Sequence, residues 1–181
     1  MSANSLRTLA RHLDVPERTL RRAAAEGLVR GDRTSARRFL TTLREETYLR
    51  THWPLLSSLR EALRTEPNVR LAILFGSQAT GASLESSDVD VLVALADPSA
   101  ANLAELTGRL ERRIGRDIQL VRIEDAERAP VLMSAALSEG RVLVDREARW
   151  PELKASEPRW RRRAAAGEIP LEDAMPDLDA G

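Results

Sequence analysis

Leu74-Phe75-Gly76-Ser77-Gln78-Ala79-Thr80-Gly81-Ala82-Ser83-Leu84-Glu85-Ser86-Ser87-Asp88-Val89-Asp90-Val91-Leu92-Val93 is the stretch on which the reading of this chain turns. An apolar strand, Val69 to Phe75, ends in Gly-Ser, and ten residues later a second strand, Asp88 to Leu95, opens with Asp-x-Asp. Side chains alternate along a strand, so Asp88 and Asp90 face the same way with Cα atoms about 6.6 Å apart. Carboxylates that close repel unless a cation lies between them. Mg²⁺ suits such a place, because this hard ion is satisfied by a few carboxylates, retained waters and substrate phosphates. Gly76 and Ser77, at a strand-to-helix junction, offer backbone amides, a hydroxyl and a helix N-terminus, a combination that holds phosphate. Taken singly, Gly-Ser is commonly a turn and Asp-x-Asp a solvated strand end. Joined at this spacing behind an apolar strand, they point to phosphoryl or nucleotidyl transfer.

Outward from this stretch, strands and helices interleave. Asn102 to Ile114 carries Leu103, Leu106, Leu110 and Ile114 on one helical face. Ile118 to Ile123 reads as a third strand, Glu124 to Ser138 as a helix and Arg141 to Val144 as a short fourth strand. The expected fold class is α/β (α+β), a mixed sheet with flanking helices. On the other side, Thr42 to Thr65 is a long helical stretch in which Pro54 must introduce a kink or start a second helix.

Composition narrows the chemistry. The 181 residues contain no cysteine, which removes disulfides, thiolate-ligated zinc, iron–sulfur clusters and thiol catalysis. Two histidines, His12 and His52, stand apart and read as surface or packing residues, not as a His-rich metal site. No apolar run approaches the roughly 20 residues of a membrane span, and Met1–Ala10 lacks the apolar core of a signal peptide, so a cytoplasmic protein without membrane contact is expected. The 28 basic and 28 acidic residues cancel. The balance is uneven along the chain, because nine arginines and four acids fall in residues 1–40.

Those first residues have their own pattern. Leu6 to His12 forms a short helix, Asp14-Val15-Pro16 a turn, and Glu17 to Glu26 a second helix stopped by Gly27. Leu28–Arg30 and Arg37–Leu40 fit the two strands of a small wing around the polar Gly31–Ser35. Ala10, Leu13, Val15, Leu20 and Ala23 are placed as the contacts between crossing helices. Arg18, Arg21 and Arg22 then face outward from the second helix as the candidate DNA-binding residues, arginine being suited to guanine edges and phosphates. The arrangement resembles the winged helix-turn-helix of MerR-type regulators, with Asp14 at the usual turn glycine. Such a module makes few base contacts, so DNA binding calls for a dimer on two half-sites.

Gly76-Ser77, ten residues, then Asp88-x-Asp90 resembles the signature of the DNA polymerase β-like nucleotidyltransferase superfamily. Gly81 and the Ser87-Asp88 pair make it most similar to the minimal nucleotidyltransferase branch. The resemblance implies a nucleotidyltransferase fold, two Mg²⁺ ions, an NTP donor and transfer of an NMP, by analogy AMP from ATP, to a hydroxyl of a protein or RNA partner. Carried over, Gly76 and Ser77 bind the nucleotide's phosphates, and Asp88 and Asp90 are the catalytic metal ligands. It also implies an antitoxin-like role with a protein toxin as partner, for which a DNA-binding head would serve autoregulation.

The expected organisation is a helix-turn-helix over 1–40, connecting helices over 41–65, a nucleotidyltransferase domain over 66–145 and a mobile tail over 146–181, basic and then acidic. One departure stands out. Relatives carry a third carboxylate on the next strand where this chain has Gln119, with Asp117 at the same strand parity. Gln119 cannot act as a base. The alternative reading is therefore a non-catalytic transcriptional regulator with a degenerate, nucleotide-binding domain.

Overall fold

A computed structural model describes residues 4–35, 38–82 and 87–167. The first described elements are β1 (Asn4–Ser5) and α1 (Leu6–His12), whose first turn is capped by the Ser5 hydroxyl accepting from the Thr8 amide at 3.3 Å. The turn into α2 (Glu17–Ala25) places Asp14 at φ +51°, a left-handed conformation that Asp tolerates better than most residues. Leu28 and Val29 do not begin a wing strand. Both are buried, and their amides close back on the Ala23 carbonyl at 2.9 and 3.4 Å. Core anchoring wins over extension, and the first wing strand forms later, in the polar segment expected as the turn. It is β2 (Asp32–Ser35), paired antiparallel with β3 (Arg38–Thr41), which in turn pairs with β1.

Thr42 then caps α3 (Leu43–Arg64), its hydroxyl accepting from the Glu45 amide at 3.2 Å. The helix continues through Pro54. Pro54 and Arg50, whose carbonyl loses its amide partner to the proline, are both exposed residues, so the missing bond falls on the solvent side.

Next come β4 (Val69–Phe75), the single-turn α4 (Gly76–Thr80), β5 (Val89–Leu95), α5 (Ala100–Ile114) and β6 (Ile118–Arg122). The helix expected from Glu124 to Ser138 is divided into α6 (Ile123–Ala126) and α7 (Pro130–Glu139), because Pro130 can start a helix but not continue one. After it come β7 (Arg141–Asp145), α8 (Trp150–Ala155) and α9 (Glu157–Ala165). The four long strands make a mixed sheet in the order β6-β5-β4-β7, parallel between β5 and β6 and antiparallel elsewhere. This is the mixed α+β architecture expected from the sequence.

Alternation along the strands divides the core into two layers. Ala72, Leu74, Val91 and Val93 face α3 and α5 through Leu56, Leu59, Leu63, Leu106 and Leu110. Leu71, Ile73, Phe75, Leu92 and Ala94 face the opposite layer of Met133, Ala136, Leu137 and Trp160. Each fully buried Leu or Ile contributes about 1.5–3 kcal/mol relative to exposure. The first layer continues without interruption into Leu9, Leu20 and Leu28 of the N-terminal head. The head also caps the sheet directly, since the Val142 amide donates to the Gly27 carbonyl at 3.3 Å. Part of the stretch expected as a mobile tail is instead helical. Trp160 of α9 is buried in the second layer, and Lys154 of α8 donates to the Ser138 carbonyl at 3.3 Å. Residues 168–181 of that tail, and 83–86 within the signature stretch, lie outside the described residues. Among the described residues no helix is long and apolar enough to cross a membrane.

Candidate functional site

The carboxyl end of β4 and the amino end of β5 meet at one corner of the sheet. Phe75 pairs with Asp90 across the antiparallel ladder, which brings Gly76 onto the Asp90 side chain. Gly76 has φ +69°, and a Cβ there would collide with Asp90 Oδ2. Two independent reasons therefore require glycine: the left-handed backbone and the close approach of a carboxylate. Asp88 lies just before β5 and is exposed, whereas Asp90 is half-buried within it. Burial first, and the neighbouring Asp88 charge second, push the Asp90 carboxyl above its ordinary value. Among the described residues neither aspartate has an ion-pair partner. Two acids side by side without a compensating cation are a donor set for a hard divalent ion, with water and phosphate oxygens completing its shell.

Gln119 is the parallel-ladder partner of Asp90, so it stands where a third acid would adjoin the pair. Asp117 does not take its place. Both residues are exposed, and among the described residues no three His, Cys, Asp or Glu side chains converge on a metal position.

Gln78, Arg116, Tyr48 and Arg141 hold this corner and were not singled out by motif. Buried Gln78 donates from Nε2 to the Ser87 carbonyl at 3.2 Å, and Arg116 donates to the same oxygen at 2.7 Å. Together they fix the backbone immediately before Asp88. Gly81 ends α4 at φ +81°, its amide bonded to the Ser77 carbonyl at 3.0 Å. The outer side of α4 is held by two long side chains. Tyr48 donates its hydroxyl to the Gln78 carbonyl at 2.9 Å, and Arg141 Nε donates to the Ala79 carbonyl at 2.9 Å.

Arg141 is 1% exposed and makes further bonds to the Leu28 carbonyl at 3.0 Å and to both Glu45 oxygens at 2.6 and 2.8 Å. Its guanidinium lies 3.6 Å from the centre of the Tyr48 ring. One buried cation thus ties together the head, α3 and the Gly-Ser helix. Burial drives the Tyr48 hydroxyl up to about 12. His52 stacks on Tyr48 at 4.4 Å, and burial, then Arg141 and Arg116, lower its basicity. The signal for Gln78 was present, because it lies inside the signature. Arg116 and Arg141 gave none in an arginine-rich chain.

On the head, Arg18, Arg21 and Arg22 are exposed on α2 as expected. Arg21 bonds Glu17 through Nε at 2.9 Å, and Arg22 bonds Glu26 through Nε at 2.7 Å.

Residues 57–149, just over half of the chain, match the family described as polymerase beta, nucleotidyltransferase. The chain belongs to this nucleotidyltransferase family. Solved structures agree on the fold. A chain of a toxin–antitoxin complex with AMP-PNP is 23% identical, with a TM-score of 0.52 over 66% of this chain and 96% of that one. An MntA–HpeT toxin–antitoxin mutant with two aspartates changed to glutamate is 21% identical, with a TM-score of 0.52 over the same shares. A further MntA–HpeT mutant, with a tyrosine changed to alanine, is 23% identical, with a TM-score of 0.51 over 65% of this chain and 94% of that one. No curated protein sequence gives a significant match.

Proposed function

We propose that this chain transfers a nucleoside monophosphate, AMP from ATP, to a hydroxyl of a protein partner, as the antitoxin half of a toxin–antitoxin pair. The observation that carries the reading is the Asp88–Asp90 couple, without an ion-pair partner among the described residues, with Asp90 close against Gly76. Asp88 and Asp90 would hold Mg²⁺, two ions by family analogy, and Gly76 and Ser77 would receive the triphosphate. Mg²⁺, when bound, supplies charge neutralisation for the triphosphate and the departing pyrophosphate. The chain's own part is positioning. Gln78 and Arg116 hold the Ser87 carbonyl and thereby aim Asp88, while Tyr48 and Arg141 hold α4 by its carbonyls. Support for the donor and for the partner class comes from the structural neighbours, one a toxin–antitoxin complex with AMP-PNP.

The test is incubation of the protein with α-labelled ATP, Mg²⁺ and extract of cells carrying the neighbouring gene. Label should appear on one protein band and disappear with Asp88→Ala/Asp90→Ala. Label that survives the double change contradicts the assignment. A second reading has its own observation, Gln119 in register with Asp90. Under it, the domain binds nucleotide without transferring it, and the chain acts as a transcriptional regulator. ATP protection against thermal unfolding without label transfer, together with transfer gained in Gln119→Asp, would favour that reading.

We further propose that the head binds DNA through Arg18, Arg21 and Arg22, as a dimer on two half-sites. The exposed i,i+4 pairs of Arg21 and Arg22 are worth only about 0.3–0.5 kcal/mol each, little hindrance to a phosphate contact. Binding to duplex from the chain's own upstream region should weaken steeply with salt. Binding unchanged in Arg18→Ala/Arg21→Ala/Arg22→Ala would remove the assignment.

A further inference from the structure

Between the second helix of the head and α3, Thr19 of α2, Leu28, and Trp53, Ser57, Arg60 and Arg64 of α3 line a cavity of about 300 Å³. Leu28 and Trp53 are buried and give it an apolar floor. Its polar wall is unbalanced. Glu26 is the shared acceptor for Arg22, Arg60 and Arg64, so three guanidinium groups meet one carboxylate. Glu61 at the rim does not correct this, because its carboxylate is engaged by Arg113 at 3.1 Å. Arg60 is the decisive residue. Its side chain is 7% exposed, and its Nε, buried, has no hydrogen-bond partner. Burial, then Arg64 and Arg22, bring its basicity down to about 10, as expected of a cation short of counter-charge.

Native structures rarely leave a buried N–H unpaired, and Arg60, one of the residues lining the cavity, carries such a donor. An apolar pocket with one or two convergent charged groups is the usual form of a small-molecule site. A planar guanidinium fits carboxylate and phosphate oxygens better than it fits any neutral acceptor. We infer that this cavity between α2 and α3 binds a small organic anion, its carboxylate or phosphate on Arg60 and Arg64 and its apolar body on Leu28 and Trp53. The site is independent of nucleotidyl transfer. It has α2 as one wall, so occupancy bears on the helix that presents Arg18, Arg21 and Arg22.

The probes are phenyl phosphate and benzoate, with inorganic phosphate and benzyl alcohol as the charged and apolar halves, titrated calorimetrically into the full chain. At least one of the two aryl anions should saturate below about 10 mM, and each half alone should bind about tenfold more weakly. The choice between phenyl phosphate and benzoate identifies the head group. Ser57→Leu fills the cavity without altering any charge and should abolish the saturable signal. Arg60→Met should weaken it at least about tenfold, whereas Asp90→Ala should leave it in place. Binding that persists in Ser57→Leu or is unchanged in Arg60→Met overturns the inference, as does failure of both aryl anions to saturate. Equal binding of inorganic phosphate and phenyl phosphate overturns it too, because the floor would then play no part. Loss with Asp90→Ala would move the site to the sheet corner and equally overturn it.

Discussion

Glu45 and Asp90 are both carboxylates drawn into the protein, and their surroundings are opposite. Glu45 is 5% exposed, and both its oxygens are taken by Arg141, whose other N–H groups reach the Leu28 and Ala79 carbonyls. Asp90 is half-buried beside another acid, without an ion-pair partner among the described residues. A structural charge is satisfied by the chain itself. Under the proposed function the Asp90 charge is the one kept for a ligand, and the chain leaves it without a counter-charge among the described residues. The contrast separates the part of the molecule that holds α4 in place from the part on which α4 acts.

The comparison can be broken most forcefully at Arg141. Arg141→Met leaves Glu45 as a buried, unpaired charge and should cost about 3–5 kcal/mol in urea unfolding. A loss below about 1 kcal/mol would mean that the pair is not the internal tie described here. At Asp90 the sign reverses. Its carboxyl is raised, so the folded state holds the proton more tightly than the unfolded chain, and ionisation at neutral pH destabilises the fold. Asp90→Asn should therefore raise the metal-free melting temperature, by less than about 1 kcal/mol in stability because the group is partly solvated, while abolishing label transfer. Wild-type stability relative to Asp90→Asn should recover as pH falls through the raised value. A destabilised Asp90→Asn would place Asp90 with Glu45 among the structural acids.

The smallest effect is at His52. Its lowered basicity means that the unfolded chain takes up the proton first, so its contribution is present above about pH 6.5 and declines as pH falls below it. Chemical denaturation at pH 7.5 and 5.5 should reveal a loss that His52→Gln removes. An equal loss in His52→Gln would assign the acid sensitivity to other groups.

The sheet and the corner were largely legible in the chain. Val69–Phe75 and the strand after Asp88 declare themselves by apolar runs, and Gly76 by its place between a strand and a helix. What failed did so for physical reasons. Leu28 and Val29 have strand-like composition, yet the core under α2 takes them as anchors, so the wing shifts into Asp32–Ser35. Helices α8 and α9 were not legible, because most of their residues are charged or small and their helical face has meaning only against α7. Arg141 could not be distinguished from the chain's other arginines, since burial and multiple bonding are properties of the assembled neighbourhood and not of a motif. The orphan Nε of Arg60 is invisible to sequence for the same reason.

The bond from Val142 to the Gly27 carbonyl has a consequence for colloidal behaviour. Strand β7 is an outer strand of the sheet, and its Val142, Leu143 and Val144 are fully or almost fully buried. An uncovered outer strand of that kind is a template for another copy's backbone, and proteins ordinarily blunt it with charge, proline or a covering segment. Here the covering segment is the head. A chain cut back to the family-matching region would lose that shield, and its first failing would be a tendency to join sheet to sheet.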